Sequence, residues 1–247
     1  MLRELKNLFA FLTIFPLRMD ENCLSDSARF MFLFPLVGAI IGFLAGFFGW
    51  LLYFSLPSLI VGAIVFGVLL LLTGLHHTDG LLDFGDGVMA QGTPERKIEI
   101  MHDQLTGAGG LSLGITTFLV TALAISALDR GLIIQGIVVV ELAAKLSMVV
   151  GCWAGKSVHK GMNSPFLEAM HGRGGTVLLI TALAISFGIA IPLLWITGAA
   201  TVLVAVISSL TIVAISHRHF KGVTGDVLGA TNELTRMVAV VVLVAMT

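Results

Sequence analysis

Charged residues are scarce in this chain of 247 residues: they make up 12% of it, whereas hydrophobic residues make up 57%. Soluble domains carry about 25% charged residues, which cover their surface. The shortage excludes an ordinary soluble enzyme and a disordered chain. The net charge of −1 provides no basic surface for binding a nucleic acid. The composition therefore predicts a polytopic membrane protein whose main surroundings are the lipid bilayer, with no nucleic acid as a partner.

Cysteine is also scarce. Cys23 and Cys152 are too few and too far apart to indicate a disulfide framework. The N-terminal apolar run is not followed by the small-residue cleavage site of a signal peptide. Its apolar residues recur at helical spacing, which predicts a retained helix at the membrane interface; they are Leu2, Leu5, Phe9 and Leu12.

Long apolar runs, in contrast, are abundant. A transmembrane helix needs about 20 mostly apolar residues. Segments that meet this requirement lie near 31–54, 57–75, 110–128, 131–154, 176–197, 199–215 and 235–247. The sequence predicts an all-α fold, a polytopic transmembrane helical bundle of about seven spans with short cytoplasmic and interfacial helices. We expect residues 1–247 to form a single integral membrane domain.

The charges are segregated between the two ends of these spans. Very short connections at 56–57, 129–130 and 197–198 must share one membrane face, so the longer connections share the other. Most of the basic residues belong to the longer connections: Arg3, Lys6, Arg18, Arg29, Arg96, Lys97, Lys156, Lys160, Arg173, Arg218, Lys221 and Arg236. By the positive-inside rule that face is cytoplasmic. We expect a multi-pass protein of the cell membrane, with active-site loops 76–109, 155–175 and 216–234 on the cytoplasmic face.

Two charges fall inside a predicted span. Glu141 and Lys145 lie four residues apart, with the acid first, which is the favourable order for a pair on one helix. Charges within a membrane indicate a functional site by default. A structural pair that holds helices together explains the same spacing equally well.

An acidic motif follows the second span. On a helix continuing from that span, the spacing places Asp79, Asp83 and Asp86 on one face, with His76 one turn earlier. Carboxylates at this density repel one another unless a divalent cation lies among them, and hard oxygen ligands favour Mg²⁺ or Mn²⁺ over zinc. The alternative is a solvated acidic loop. The pattern predicts a metal site that carries phosphoryl or nucleotidyl chemistry.

A short helix should follow, capped by Thr93 with Pro94 in its first turn. Its basic residues Arg96 and Lys97 are candidates for substrate binding, although an amphipathic surface helix explains them as well. The glycine-rich turn 107–110 leads into the third span. Amide groups at the start of a helix hold phosphate, so Gly107 is a further candidate, unless the glycines only turn the chain.

The later loops complete the predicted site. Lys156 and Lys160 lie in a basic connection that either binds phosphates or serves as a topology signal. A second acidic motif contains Asp226 and Glu233, which are seven residues apart on one helical face, and beside them Asn232, a further candidate for substrate binding. Interleaved glycines permit close helix packing, so the alternative is a packed interface with incidental acids.

These motifs resemble the cobalamin synthase family, adenosylcobinamide-GDP ribazoletransferase. The similarity runs in order along nearly the whole chain. It rests on Leu12-Thr13-Ile14-Phe15-Pro16, Phe34-Pro35-Leu36-Val37-Gly38, His76-x-x-Asp79-Gly80-Leu81-x-Asp83-x-x-Asp86-Gly87, Glu99-Ile100-Met101-x-Asp103-x-x-x-Gly107 and Gly225-Asp226-x-Leu228-Gly229-Ala230.

The resemblance implies an Mg²⁺-dependent enzyme that joins adenosylcobinamide-GDP to α-ribazole or its 5′-phosphate and releases GMP. On this reading Asp79, Asp83 and Asp86 hold Mg²⁺, with Asp103 and Glu233 as further ligands. Asp226 is the first candidate for the general base and His76 the second. A CDP-alcohol phosphotransferase and a divalent metal transporter stay open as alternatives, as does assembly into a homo-oligomer.

Overall fold

A computed structural model describes residues 2–15, 21–158 and 161–247 of the chain. Within these ranges the chain is helical, with no strand beyond one isolated bridge, which confirms the all-α prediction. The helices are α1 (Leu2–Leu12), α2 (Cys23–Arg29), α3 (Phe34–Leu52), α4 (Ser58–Leu72), α5 (His76–Met89), α6 (Pro94–Met101), α7 (Ala108–Ser126), α8 (Ile133–Ala154), α9 (Ser164–His171), α10 (Gly175–Phe220) and α11 (Gly225–Met246).

The described part of the chain contains five helices long and apolar enough to cross a membrane, or six if α4 and α5 are counted together. One of the five, α10, has 46 residues, which as a straight helix would measure about 69 Å, twice the hydrocarbon thickness of a bilayer. Non-helical torsions at Leu194 and Trp195 break it. Gly198 then packs on the backbone of Ala190, so the chain folds back on itself. The two halves of α10 correspond to the predicted fifth and sixth spans.

The acidic helix does not continue the second span, and this part of the prediction is wrong. Helix α4 ends at Leu72, and α5 leaves it at an angle of 96°. Between the two helices, Gly74 and Leu75 have positive φ angles of 69° and 62°. A right-handed helix cannot continue through such torsions, so the chain turns here. As a result α5 runs across the end of the bundle instead of along it.

Helix α8 forms the centre of the bundle, with nearly all of its residues buried. Helix α3 approaches it through small residues. A Cβ atom added to Gly42 would lie 2.5 Å from the carbonyl oxygen of Ile137, and Gly38 packs in the same way on the backbone of Glu141. Because lipid supplies no hydrophobic driving force between helices, such close backbone contact is a main source of attraction.

The predicted short connections and the predicted longer connections lie at opposite ends of the bundle. At one end the Tyr53 hydroxyl donates to the carbonyl of Leu128, and the guanidinium of Arg130 lies 3.5 Å from the centre of the Phe54 ring. At the other end the amide of Val223 donates to the carbonyl of Lys156 over 2.7 Å. Two of the predicted active-site loops, 155–175 and 216–234, therefore meet at this end.

The last helix differs from its prediction. It begins at Gly225, ten residues before the predicted start at 235, so Asp226 and Glu233 belong to a helix and not to a loop. Arg236, which we assigned to the connections, lies within this helix and is completely buried. Polar residues precede Arg236 in the sequence and apolar residues follow it, which suggests a position at the end of a span. The sequence does not show which residue on another helix pairs with it.

The α3–α8 contact can be tested by Gly42→Ala. The added methyl group meets the backbone of α8, which cannot move as a side chain can, so overpacking should cost about 1–3 kcal/mol of stability. Thermal unfolding of the purified protein in detergent would measure the loss. Gly67→Ala is the matched control, since a Cβ at Gly67 meets nothing within 4 Å. Equal unfolding midpoints for the two variants would contradict the packing.

Candidate active site

The two acidic motifs meet where α5 crosses α11. A Cβ atom on Gly80 would lie 2.8 Å from the Cα of Asp226, and one on Gly229 would lie 3.2 Å from the Cα of His77. Glycine at these points lets the two backbones touch. The crossing brings Asp226 to the acidic face of α5, although the two segments are separated by more than a hundred residues in sequence.

The carboxylates at the crossing are close enough for the charge of one to change the pKa of another. Asp79 is exposed, whereas Asp83 and Asp226 are partly buried. Burial raises the pKa of Asp83 to about 7, and the negative charges of Asp79, Asp226 and Asp86 contribute to the same shift. Each charge raises the pKa because the ionised form of Asp83 is repelled.

Within the described residues, Asp79 and Asp83 form no ion pair with a lysine or arginine. Crowded carboxylates that lack a basic partner are the donor set that suits a hard divalent cation. In the same part of the chain, no three or more His, Cys, Asp or Glu side chains are already arranged as a metal-binding group. The oxygen donors are of the kind that Mg²⁺ prefers, and both the cation and its ligand set stay predictions.

Asp86 has different partners from the other two acids of its motif. Its carboxylate accepts the amide of Gly107 over 2.7 Å and the amide of Gly110 over 2.8 Å. Hydrogen bonds to a charged acceptor contribute about 1.5–3 kcal/mol each. The Gly107 amide, a candidate for binding phosphate, is thus already paired with a carboxylate of the protein.

Two histidines begin α5. His76 is exposed and His77 is buried. Burial lowers the pKa of His77 well below its usual range, and the positive charges of Lys145 and Arg236 lower it further, so its ring is neutral. Gly229 of α11 touches the backbone of His77, and Lys145 bonds to Asn232 one turn further along α11, so the two buried cations lie on the side of α5 away from solvent.

His102 is a site residue that the sequence analysis left without a role. It follows α6, and its ring lies close enough to Asp226 for the two side chains to interact electrostatically. Its position on the polar face of the short helix was visible in the sequence. The proximity to Asp226 was not, because 124 positions separate the two residues and no local spacing connects them.

The other predicted residues that the structure describes lie at the same end of the bundle as this crossing. Thr93 caps α6 by accepting the Arg96 amide, as predicted, and the Arg96 side chain pairs with Glu99 over 2.9 Å. Lys97 Nζ lies 2.9 Å from Nδ1 of His219 at the end of α10.

Two of the predicted residues in the loops are close to solvent. Asp103 is exposed and accepts the Leu105 amide. Lys156 is also exposed, whereas Lys160 lies outside the described residues.

Glu233 and Asn232 face the interior of the bundle. One oxygen of Glu233 accepts from Arg236 and the other from the Asn232 amide, and the Asn232 oxygen accepts from Lys145 over 2.7 Å. Arg236 also pairs with Glu141. Glu141 therefore pairs across helices with Arg236, while the hydrogen bond of Lys145 goes to Asn232.

This buried network contains two acids and two bases and is completely or almost completely shielded from solvent. Its formal charges cancel, and every charged group has a hydrogen-bonding partner, which is the condition for burying charge at low cost. The network joins α8 to α11 directly beneath the α5 crossing. Glu233 and Asn232 keep their predicted roles in binding metal and substrate only as predictions, since their polar atoms already bond to the protein.

Comparisons with known proteins cover nearly the whole chain. Residues 4–244 match the family described as cobalamin-5-phosphate synthase. The chain belongs to this family.

Curated relatives agree with that assignment, and each of those that follow is named adenosylcobinamide-GDP ribazoletransferase. The protein of Methanocella arvoryzae is 34% identical over 97% of this chain and 94% of its own. That of Thermococcus kodakarensis is 32% identical over 97% of each chain, and that of Methanococcoides burtonii is 30% identical over 98% and 92%. No solved structure matches. Membership of the family makes this chain a transferase of cobalamin biosynthesis, and its apolar helices make it a multi-pass membrane protein.

Arg236→Met tests the buried network. Removing the guanidinium leaves Glu141 and Glu233 charged and unpaired in the core, so the loss should be about 3–5 kcal/mol of stability. Thermal unfolding in detergent would measure it.

The control is Arg96→Met, which removes an exposed pair with Glu99 and should leave the unfolding midpoint close to that of the native protein. A native-like midpoint for Arg236→Met would mean that the network does not hold α8 and α11 together.

Proposed function

We propose that the protein joins adenosylcobinamide-GDP to α-ribazole or its 5′-phosphate, forming adenosylcobalamin or its 5′-phosphate and releasing GMP. The relatives named adenosylcobinamide-GDP ribazoletransferase support the choice of substrates. The observation that carries the proposal is the crossing at Gly80, where the carboxylates of two distant motifs face one another at the polar end of the bundle. A site of this composition suits the transfer of a nucleotide-activated phosphate to a hydroxyl group.

Mg²⁺ is the cofactor in this proposal. Asp79 and Asp83 are the first choice of residues to hold it, and Asp103 is a further ligand. When bound, the cation would offset the negative charge that develops on the leaving phosphate. Asp86 and Glu233, which the spacing also suggests as ligands, have both carboxylate oxygens engaged in hydrogen bonds within the protein.

The chain's own residues would prepare the attacking hydroxyl. Asp226 is the first candidate to accept the proton from the ribose hydroxyl, and His76 is the second. Proton acceptance by a positioned side chain contributes about 10²–10⁴-fold to a rate.

Basic side chains around the crossing would orient the phosphates. Arg96 and Lys97 lie on α6 and Lys156 lies in the loop after α8, both at this end of the bundle, and Lys160 belongs to the same basic connection as Lys156. Lysine acts as a flexible point charge, while arginine offers two parallel donors to a phosphate. We place this end, with its loops, on the cytoplasmic face of the cell membrane, because it contains most of the basic residues.

The reaction can be tested with the purified protein in lipid nanodiscs. Release of GMP is measured with adenosylcobinamide-GDP and either α-ribazole or α-ribazole 5′-phosphate, at increasing Mg²⁺. We expect turnover that requires a divalent cation. Turnover of a CDP-lipid with an alcohol in its place, or uptake of divalent ions into liposomes without GMP release, would contradict the proposal.

Two variants test the assigned roles. Asp83→Asn should raise the Mg²⁺ concentration needed for half the maximal rate, because the amide is a weaker ligand than a carboxylate. Asp226→Asn should lower kcat by about 10²–10⁴-fold, since the amide cannot accept the proton. Glu21→Gln, which changes an exposed carboxylate outside the site, is the control and should keep the native rate. Full Mg²⁺-dependent turnover by Asp83→Asn would refute the metal assignment.

A further inference from the structure

Asp86 is buried, with 9% of its surface exposed, while the other two acids of its motif are more accessible. Both of its oxygens accept amide groups at the start of α7, at 2.7 and 2.8 Å. These contacts direct the carboxylate towards α7. Asp86 therefore differs in surroundings from Asp79 and Asp83, although the sequence spacing treats the three alike.

The start of α7 needs an acceptor from elsewhere in the chain. Its N-cap residue is Gly107, which has no side chain to cap the first amide groups. Unpaired amides at a helix N-terminus carry partial positive charge, and a carboxylate satisfies both the hydrogen bonds and the charge. Asp86 supplies this cap from a different helix.

The backbones of α5 and α7 are in contact beside this cap. A Cβ atom on Gly85 would lie 2.9 Å from the Cα of Gly110, and one on Gly110 would lie 2.5 Å from the carbonyl oxygen of Leu82. With so little space between the helices, the two hydrogen bonds of Asp86 fix both the rotation of α5 and its distance from α7. The rotation of α5 in turn decides whether Asp79 and Asp83 face Asp226.

We infer that Asp86 is a positioning residue, which holds α5 against the start of α7 so that Asp79 and Asp83 face Asp226, and that it is not a metal ligand. The inference rests on the proposed function for the role of the acids it positions. It divides the three acids of one motif into two that would hold the cation and one that orients their helix.

Asp86→Asn is the first test, since the amide keeps the size of the side chain and one accepting oxygen. A small displacement of catalytic groups lowers rates by about 10²-fold, so we expect kcat per folded molecule to fall by about 10- to 100-fold. The Mg²⁺ concentration for half the maximal rate should stay at the native value, whereas Asp83→Asn should raise it. A raised Mg²⁺ requirement for Asp86→Asn would overturn the inference, and so would a native kcat.

Metal binding can also be measured without turnover. The increase in unfolding temperature on adding MgCl₂ or MnCl₂ reports binding to the folded protein. We expect Asp86→Asn to keep the native increase and Asp83→Asn to lose it. The same loss in both variants would make Asp86 a ligand and overturn the inference. This result does not depend on which substrates the enzyme uses, so a failure of the proposed reaction would be recognised separately.

The cap itself can be tested by a double-mutant cycle with Gly107→Ala. A Cβ atom at Gly107 would lie 2.5 Å from Oδ1 of Asp86, so the alanine should lower the unfolding temperature of the native protein. In an Asp86→Ser background the clash is removed, and the same change should cost much less. Equal effects of Gly107→Ala in both backgrounds would show that Asp86 does not cap α7 and would overturn the inference.

Discussion

The direct contact between the backbones of α5 and α11 is the constraint on which the site depends. Gly80 and Gly229 leave no side chain between the two helices, so Asp226 comes to the face of α5 that carries Asp79 and Asp83. A larger residue at either glycine would separate the two acidic motifs. Because α5 leaves α4 at 96° and runs across the bundle end, this contact forms where polar groups have access to water. The polar site therefore lies at the end of the bundle, while the apolar helices cross the membrane.

The cost of burying a charge explains why each charged side chain beneath the crossing has a hydrogen-bonding partner. An unpaired ion in this core would lose its hydration without gaining an ion pair or a hydrogen bond. The free energy of folding of a small bundle could not offset that loss. Glu141, Arg236, Glu233, Asn232 and Lys145 satisfy one another across α8 and α11. Their directional hydrogen bonds fix how α11 is rotated about its axis. The acids that face the site and the acids that face the core are therefore parts of one helix with two different functions.

Several sequence-based expectations followed from local chemistry and agree with the structure. The Thr93 cap of α6 was visible because its partners lie within one turn. The helices near the predicted spans were visible because apolar length alone indicates them. Two errors have a common cause. The bend at Gly74 and Leu75 depends on torsions that no hydrophobic pattern records, and the burial of Arg236 depends on Glu141, 95 residues away.

Composition and spacing determined that this is an all-α membrane protein with its reactive groups gathered at one end, and the order of the motifs indicated the cobalamin synthase family. These features are properties of single segments or of the whole chain. Only the tertiary structure decided which acids share a site. Asp79 and Asp83 meet Asp226, Asp86 caps α7, and Glu233 joins the buried network. Helical spacing defines a face but not its neighbour, because the neighbour is chosen by packing between segments far apart in the sequence.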